Sequence, residues 1–117
     1  MTIKLATAKI AKEKEFNLKV TSYASLDEKY DGEVTYYDAY GYPYNWNIPT
    51  HTVSLPTQSE LQRWLREEHD IHIEISRQYE RGFYLYEYHI AVGNSVFGFS
   101  TYEEALEEGL IKALELI

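Results

Sequence analysis

The stretch Ser100-Thr101-Tyr102-Glu103-Glu104-Ala105-Leu106-Glu107-Glu108-Gly109-Leu110-Ile111-Lys112-Ala113-Leu114-Glu115-Leu116-Ile117 decides the fold. Tyr102, Ala105, Leu106, Gly109, Leu110, Ala113, Leu114 and Ile117 recur every three or four residues, the spacing of a helix with one apolar stripe. Thr101 followed by Glu104 is a capping box, which marks where that helix starts. Glu103, Glu104, Glu107 and Glu108 fall on its outer side. Gly109 costs about 1 kcal/mol against Ala in a helix interior, so its place in the stripe predicts close approach to a neighbouring element.

Working towards the N-terminus, Gly93-Asn94 is a two-residue hairpin signal between Ser95–Phe99 and Phe83–Val92. It places Phe97 opposite Ile90 and Phe99 opposite Tyr88. Ile71-His72-Ile73-Glu74-Ile75-Ser76 alternates as a half-buried strand does. The loop Tyr79-Glu80-Arg81-Gly82 pairs it with the strand starting at Phe83, setting Ile71, Ile73 and Ile75 across from Ile90, Tyr88 and Tyr86. Before it, Pro56-Thr57-Gln58-Ser59-Glu60 starts a helix, with Thr57 as cap and Glu60 completing the box. Leu61, Trp64 and Leu65 make its apolar stripe, and the helix ends near His69-Asp70.

The first half is less regular. Ile3, Ala6, Thr7, Ile10 and Ala11 share one side of a helix over residues 3–14, with Thr2 as a possible cap, and Lys4, Lys9 and Lys12 lie on the solvated side. Residues 18–24 and 33–37 are β-prone, with the turn dipeptide Asp31-Gly32 between them. Tyr40-Gly41-Tyr42-Pro43-Tyr44-Asn45-Trp46-Asn47-Ile48-Pro49 holds two Pro, one Gly and two Asn, which predicts an aromatic loop rather than a central strand. His51 to Leu55 is a short extended piece leading into the next helix. The expected class is α+β, a two-layer sandwich with helices on one face of an antiparallel sheet, in the order α-β-β-α-β-β-β-α. It is expected as one domain, 1–117, with residues 1–56 carrying the N-terminal helix, hairpin and aromatic loop and 57–117 the α-β-β-β-α unit. Whether 18–37 extend the main sheet is left open by the pattern.

Composition bounds the function. The 117 residues carry a net charge of −8 and no Cys, so disulfides, thiolate metal sites and a Cys nucleophile are excluded. Lys4, Lys9, Lys12 and Lys14 interrupt any apolar core of an export signal, and no window nears the ~18 apolar residues of a membrane span. A cytoplasmic location is expected. Residues 57–117 hold five Lys or Arg against twelve Asp or Glu, which suits phosphate backbones poorly. No phosphate-cradling Gly-rich loop, nucleophile elbow or His-Glu-x-x-His is present, so no enzyme activity and no cofactor are expected.

Two constellations remain. The inferred register sets His72 opposite His89 and Glu74 opposite Glu87, two imidazoles and two carboxylates of the kind that hold Zn²⁺. The plainer reading is diagonal pairing of His72 with Glu87 and Glu74 with His89 on a solvated face, and it is preferred. The other is aromatic: seven of the twelve Tyr lie between Tyr23 and Tyr44, with Trp46 just beyond. Tyr and Trp offer rigid area with a polar tip at binding surfaces. Tyr40, Tyr42, Tyr44 and Trp46 are therefore the candidate contact residues for a protein partner or a second copy in a homodimer.

The α-β-β-β-α order of 57–117 resembles a double-stranded-RNA-binding domain. That family meets phosphates through a basic cluster at the start of its last helix, where this chain has Glu103 and Glu104. The resemblance thus implies the fold, and the departure argues against nucleic-acid binding. Residues 56–73, 102–110 and the segment Ala8 to Lys14 with Phe16 also resemble a group of small uncharacterised proteins of bacterial phages, prophages and mobile elements. That resemblance implies a mobile-element origin and a bacterial host, and no activity. The expected function is a non-enzymatic protein-interaction or accessory factor. The alternatives are a nucleic-acid-binding module of double-stranded-RNA-binding-like fold and a metal-dependent enzyme using the His/Glu hairpin face.

Overall fold

A computed structural model describes residues 1–27, 34–91 and 93–117. It shows an α+β protein with three helices and two antiparallel three-stranded sheets among the described residues. The chain divides into two compact units, Thr2–Thr57 and Gln58–Ile117, Met1 grouping with the latter. Among the described residues, the strands within 18–37 pair in a sheet separate from the C-terminal one.

In the C-terminal unit, helix α2 (Gln58–His69) precedes strands β4 (Glu74–Glu80), β5 (Phe83–His89) and β6 (Ser95–Phe99), and helix α3 (Tyr102–Glu115) closes the unit. The sheet order is β4-β5-β6. Helix α3 lies against all three strands and against α2. Half of its capping box forms as the sequence requires, with Glu104 N–H donating to Thr101 Oγ1 at 3.1 Å; the Glu104 carboxylate accepts instead from the N–H of Ser100, one residue before the cap, at 3.3 Å. Ala105, Leu106, Gly109, Leu110, Ala113 and Leu114 are buried with Leu61, Trp64, Leu65, Ile73 and Tyr88. A Cβ on Gly109 would lie 3.0 Å from Ile73 Cγ2 and 3.2 Å from Tyr88 Cβ, the close approach its position predicts.

Three expectations are corrected here. The strand expected at 71–76 begins at Glu74, because Asp70 turns left-handed (φ 53°), Ile71 N–H closes on Leu65 O and Ile73 O accepts from Gln62. The β4–β5 register is displaced by two residues, with Ile75 opposite Tyr88 and Glu80 opposite Phe83 around the turn Arg81-Gly82. Both turn residues are left-handed, as a two-residue hairpin demands. A shift of two preserves the faces. The β5–β6 connection is longer than Gly93-Asn94, since Asn94 N–H bonds Ala91 O and Ile90 N–H bonds Asn94 O. Phe97 consequently faces Glu87 and is 38% exposed instead of sharing the face of Tyr88. A bulge then restores the phase: Glu87 pairs Phe97 and Tyr86 pairs Phe99, leaving Gly98 (φ 114°) as the extra residue. Phe99 thereby reaches Tyr88, centroids 6.0 Å apart.

Two residues of the expected α3 pattern also differ. Tyr102 is 44% exposed, while Glu107, assigned to the outer side, is 3% exposed and accepts from Gln58 Nε2 at 3.1 Å. The same Gln58 amide donates to Glu103 O.

In the N-terminal unit, helix α1 (Leu5–Glu13) precedes strands β1 (Ser22–Ser25), β2 (Tyr36–Asp38) and β3 (Thr52–Ser54). The sheet order is β2-β1-β3, and α1 packs against β3. The helix starts later than residue 3, at an N-cap Lys4 without a side-chain cap, so Thr2 does not serve. Its buried side carries Thr7, Ala8 and Ala11, while Ala6 is exposed. At its end Glu15 is left-handed (φ 66°), Glu15 N–H bonds Lys12 O and Phe16 N–H bonds Ala11 O. This is a Schellman motif completed by the buried Phe16, with Glu where Gly is usual. The expected turn Asp31-Gly32 lies outside the described residues, as does Val92.

Candidate interaction surface

The aromatic segment is a loop, as its Pro, Gly and Asn content requires, but it is tied to the unit at many points. Tyr44 exchanges backbone bonds with Val20 (3.0 and 3.1 Å), and Trp46 Nε1 donates to Val20 O at 2.9 Å. Asn47 links three segments: Nδ2 donates to Phe16 O, Oδ1 accepts from Ser54 N–H, both at 2.9 Å, and its own N–H bonds Asn45 Oδ1. Lys12 Nζ donates to Pro49 O at 3.0 Å and Thr52 O at 2.7 Å. Lys12 therefore does not sit on a solvated face, and burial lowers its pKa from the ordinary lysine value. Thr52 Oγ1 donates to Trp46 O at 2.6 Å.

On this base the rings stack. Trp46 lies 3.9 Å from Tyr23 and 17° from parallel, and Tyr23 stacks on Tyr37 at 5.0 Å. Tyr44 meets Trp46 edge-on at 5.0 Å. The structure thus divides the four candidate contact residues. Trp46 is half-buried and hydrogen-bonded, and Tyr44 is packed on one side. Tyr40 and Tyr42 are 86% and 80% exposed. They flank the turn at Gly41 (φ 90°), where Tyr40 is itself left-handed (φ 42°) and its N–H bonds Asp38 Oδ1 at 3.0 Å. Tyr36, Tyr37 and Ile48 add exposed apolar area in the same unit. The sequence pattern marks Tyr36 and Tyr37 as strand residues, but not that every residue of β2 is exposed.

The His/Glu constellation is placed differently from its expected square. His89 stands opposite Glu74 and Glu87 opposite Ser76. His72 precedes the strand and bonds Asp70 Oδ1 at 2.9 Å, while His89 Nδ1 is bonded to Ser95 Oγ. The pairing of His72 with His89 and of Glu74 with Glu87 is therefore overturned by the two-residue register displacement. No group of three or more His, Asp or Glu suited to a metal ion occurs among the described residues. Of the Glu cluster on α3, Glu104 serves the helix cap and Glu107 is buried against Gln58.

No helix among the described residues is long and apolar enough to cross a membrane. Comparison of the chain with protein-family models, curated proteins and solved structures finds no match.

Proposed function

We propose that the chain is a non-enzymatic protein-interaction or accessory factor of phage or mobile-element origin, acting in the cytoplasm of a bacterial host. Its contact surface is the tyrosine loop of the N-terminal unit, and its partner is another protein or a second copy of itself. One observation carries this reading: Tyr40 and Tyr42 project almost fully into solvent from a loop fastened by Lys12, Trp46 and Asn47. Large apolar area displayed at a hydrogen-bonded turn loses little entropy on binding, and that is the economy of a recognition loop. Core packing gives no reason for two such side chains to be Tyr.

The test replaces Tyr40 and Tyr42 with Ser, sparing Trp46 and Tyr44 because these support the loop. The double variant should lose capture of its partner from host lysate, and self-association if the partner is a second copy, with an unchanged thermal midpoint. Retained capture and retained self-association would sink the reading.

A further inference from the structure

Side chains alternate across the N-terminal sheet, so Tyr23 and Tyr37 share one face while Ser22, Ala24, Tyr36 and Asp38 share the other. Mostly on that second face lies a cleft of about 470 Å³ lined by Ile3, Ser22, Tyr36, Asp38, Tyr40 and Leu55 among others, with Tyr37 reaching it from the sheet edge. Its lining is mixed, with tyrosine rings and aliphatic groups beside the hydroxyls of Thr2 and Ser22, and Asp38 is the charged group among its lining residues. One Asp38 oxygen accepts the Tyr40 N–H. Among the described residues, no Lys, Arg or His pairs with this carboxylate.

Among the described residues, the main chain beside the cleft has no partner on its outer side either. Ser25 N–H bonds Thr35 O at 2.9 Å and Ala39 N–H bonds Thr21 O at 2.7 Å. Residues 35, 37 and 39 thus occupy the bonded positions towards β1. In an antiparallel pair the intervening residues turn their N–H and C=O outward. Tyr36 and Asp38, whose side chains line the cleft, therefore present their backbone groups along the edge that β2 forms in the order β2-β1-β3.

We propose that this cleft takes an arginine or lysine side chain from an extended basic segment of the partner, which adds as a strand along β2. The proposal rests on the reading that the tyrosine face of this unit is the partner contact, and it names that partner's chemistry. An exposed carboxylate between two tyrosines complements a cation: the carboxylate accepts its N–H groups and the rings attract its charge. Arg suits the site better than Lys, because its planar fork both pairs with a carboxylate and stacks on a ring. The chain shows that stacking elsewhere, with Arg77 Cζ 4.1 Å from the centroid of the exposed Tyr84 ring. Strand addition supplies main-chain bonds and leaves alternate side chains to fill pockets.

The probe is an acetylated, amidated peptide Val-Arg-Val-Arg-Val titrated into the labelled full chain at low salt, read by amide chemical shifts. Saturable shifts should concentrate at Ser22, Tyr36, Asp38 and Tyr40. Asp38→Asn should weaken binding about tenfold, as loss of a charge-assisted pair does. Asp70→Asn, which removes the same charge from the C-terminal unit, should leave the Kd within about twofold. The citrulline peptide, equal in shape but uncharged, should lose binding by about tenfold or more. Equal weakening by both Asp variants, or equal binding of the citrulline peptide, overturns the proposal. So does equal binding of a single capped arginine, which removes the strand. Partner capture lost in the Tyr40/Tyr42 variant but kept in Asp38→Asn overturns the cationic cleft alone; capture kept in the tyrosine variant overturns the reading beneath it.

Discussion

The two units begin alike, each with a helix followed by three antiparallel strands, and they are held by different means. The C-terminal unit is organised by an apolar stripe on a capped helix laid over a sheet, with Gly109 setting the distance. The N-terminal unit buries Ile3, Phe16, Val20, Val53 and Leu55 beside Ala8, Ala11 and Ala24, and fastens its long loop through side chains that bond main-chain groups. Stripe packing leaves a helix free to change its outer residues. Side-chain-to-backbone fastening leaves a loop free to change its tip.

Substitutions can break that contrast. The largest effect is expected at Gly109. Gly109→Val should cost about 3 kcal/mol, because its branched side chain meets Ile73 Cγ2 and the Tyr88 Cβ and Cγ, stem atoms of buried side chains with little room to yield. Denaturant midpoints measure it, and a near-neutral result would show that α3 can lift from the sheet. The counterpart in the other unit is Asn47→Ala, expected to cost about 2 kcal/mol, since Phe16 O and Ser54 N–H each lose a partner. Hydrogen exchange should then quicken around β3 and the loop while β4–β6 stay protected.

Legibility in the sequence follows the same divide. Helix α3, its cap and its glycine were readable because periodicity and capping are local. So were the faces of β4 and β5, since a displacement of two residues leaves alternation intact. Phe97 faces Glu87 because the β5–β6 connection is longer than the Gly93-Asn94 dipeptide signals, and the bulge at Gly98 that returns Phe99 to the Tyr88 face leaves no mark in the hydropathy pattern. Glu107 was misplaced because its burial depends on Gln58, 49 residues away. The aromatic loop was readable as a loop and as a candidate contact. The division between supporting Trp46 and displayed Tyr40 was not, since it depends on Val20 O and the Tyr23 ring. Asp38 carried no signal beyond being one carboxylate in an acidic chain.

The smallest expected effect is alkaline. Burial, and then the charges of Glu108 and Glu115, raise the Tyr88 pKa above the ordinary tyrosine value. The unfolded chain gives up that proton first, so stability present below about pH 10 falls as pH rises towards the folded value. Lys12 has the opposite sign: its pKa is lowered in the fold, so its burial penalty fades as pH rises towards the unfolded lysine value. A neutral amine still has two N–H groups for the carbonyls of Pro49 and Thr52. Urea midpoints between about pH 9 and 11 should fall less for Tyr88→Phe than for the parent chain. An identical fall would show that Tyr88 ionises as it does unfolded.

The ties beneath the tyrosine loop end on the main chain: Pro49 O, Thr52 O, Val20 O, Phe16 O and the Ser54 N–H. A carbonyl is present whatever residue carries it. Mutation at the tip, around Tyr40 and Tyr42, therefore removes none of these anchors. The tip of such a loop can take many sequences while the ties that hold its shape stay in place.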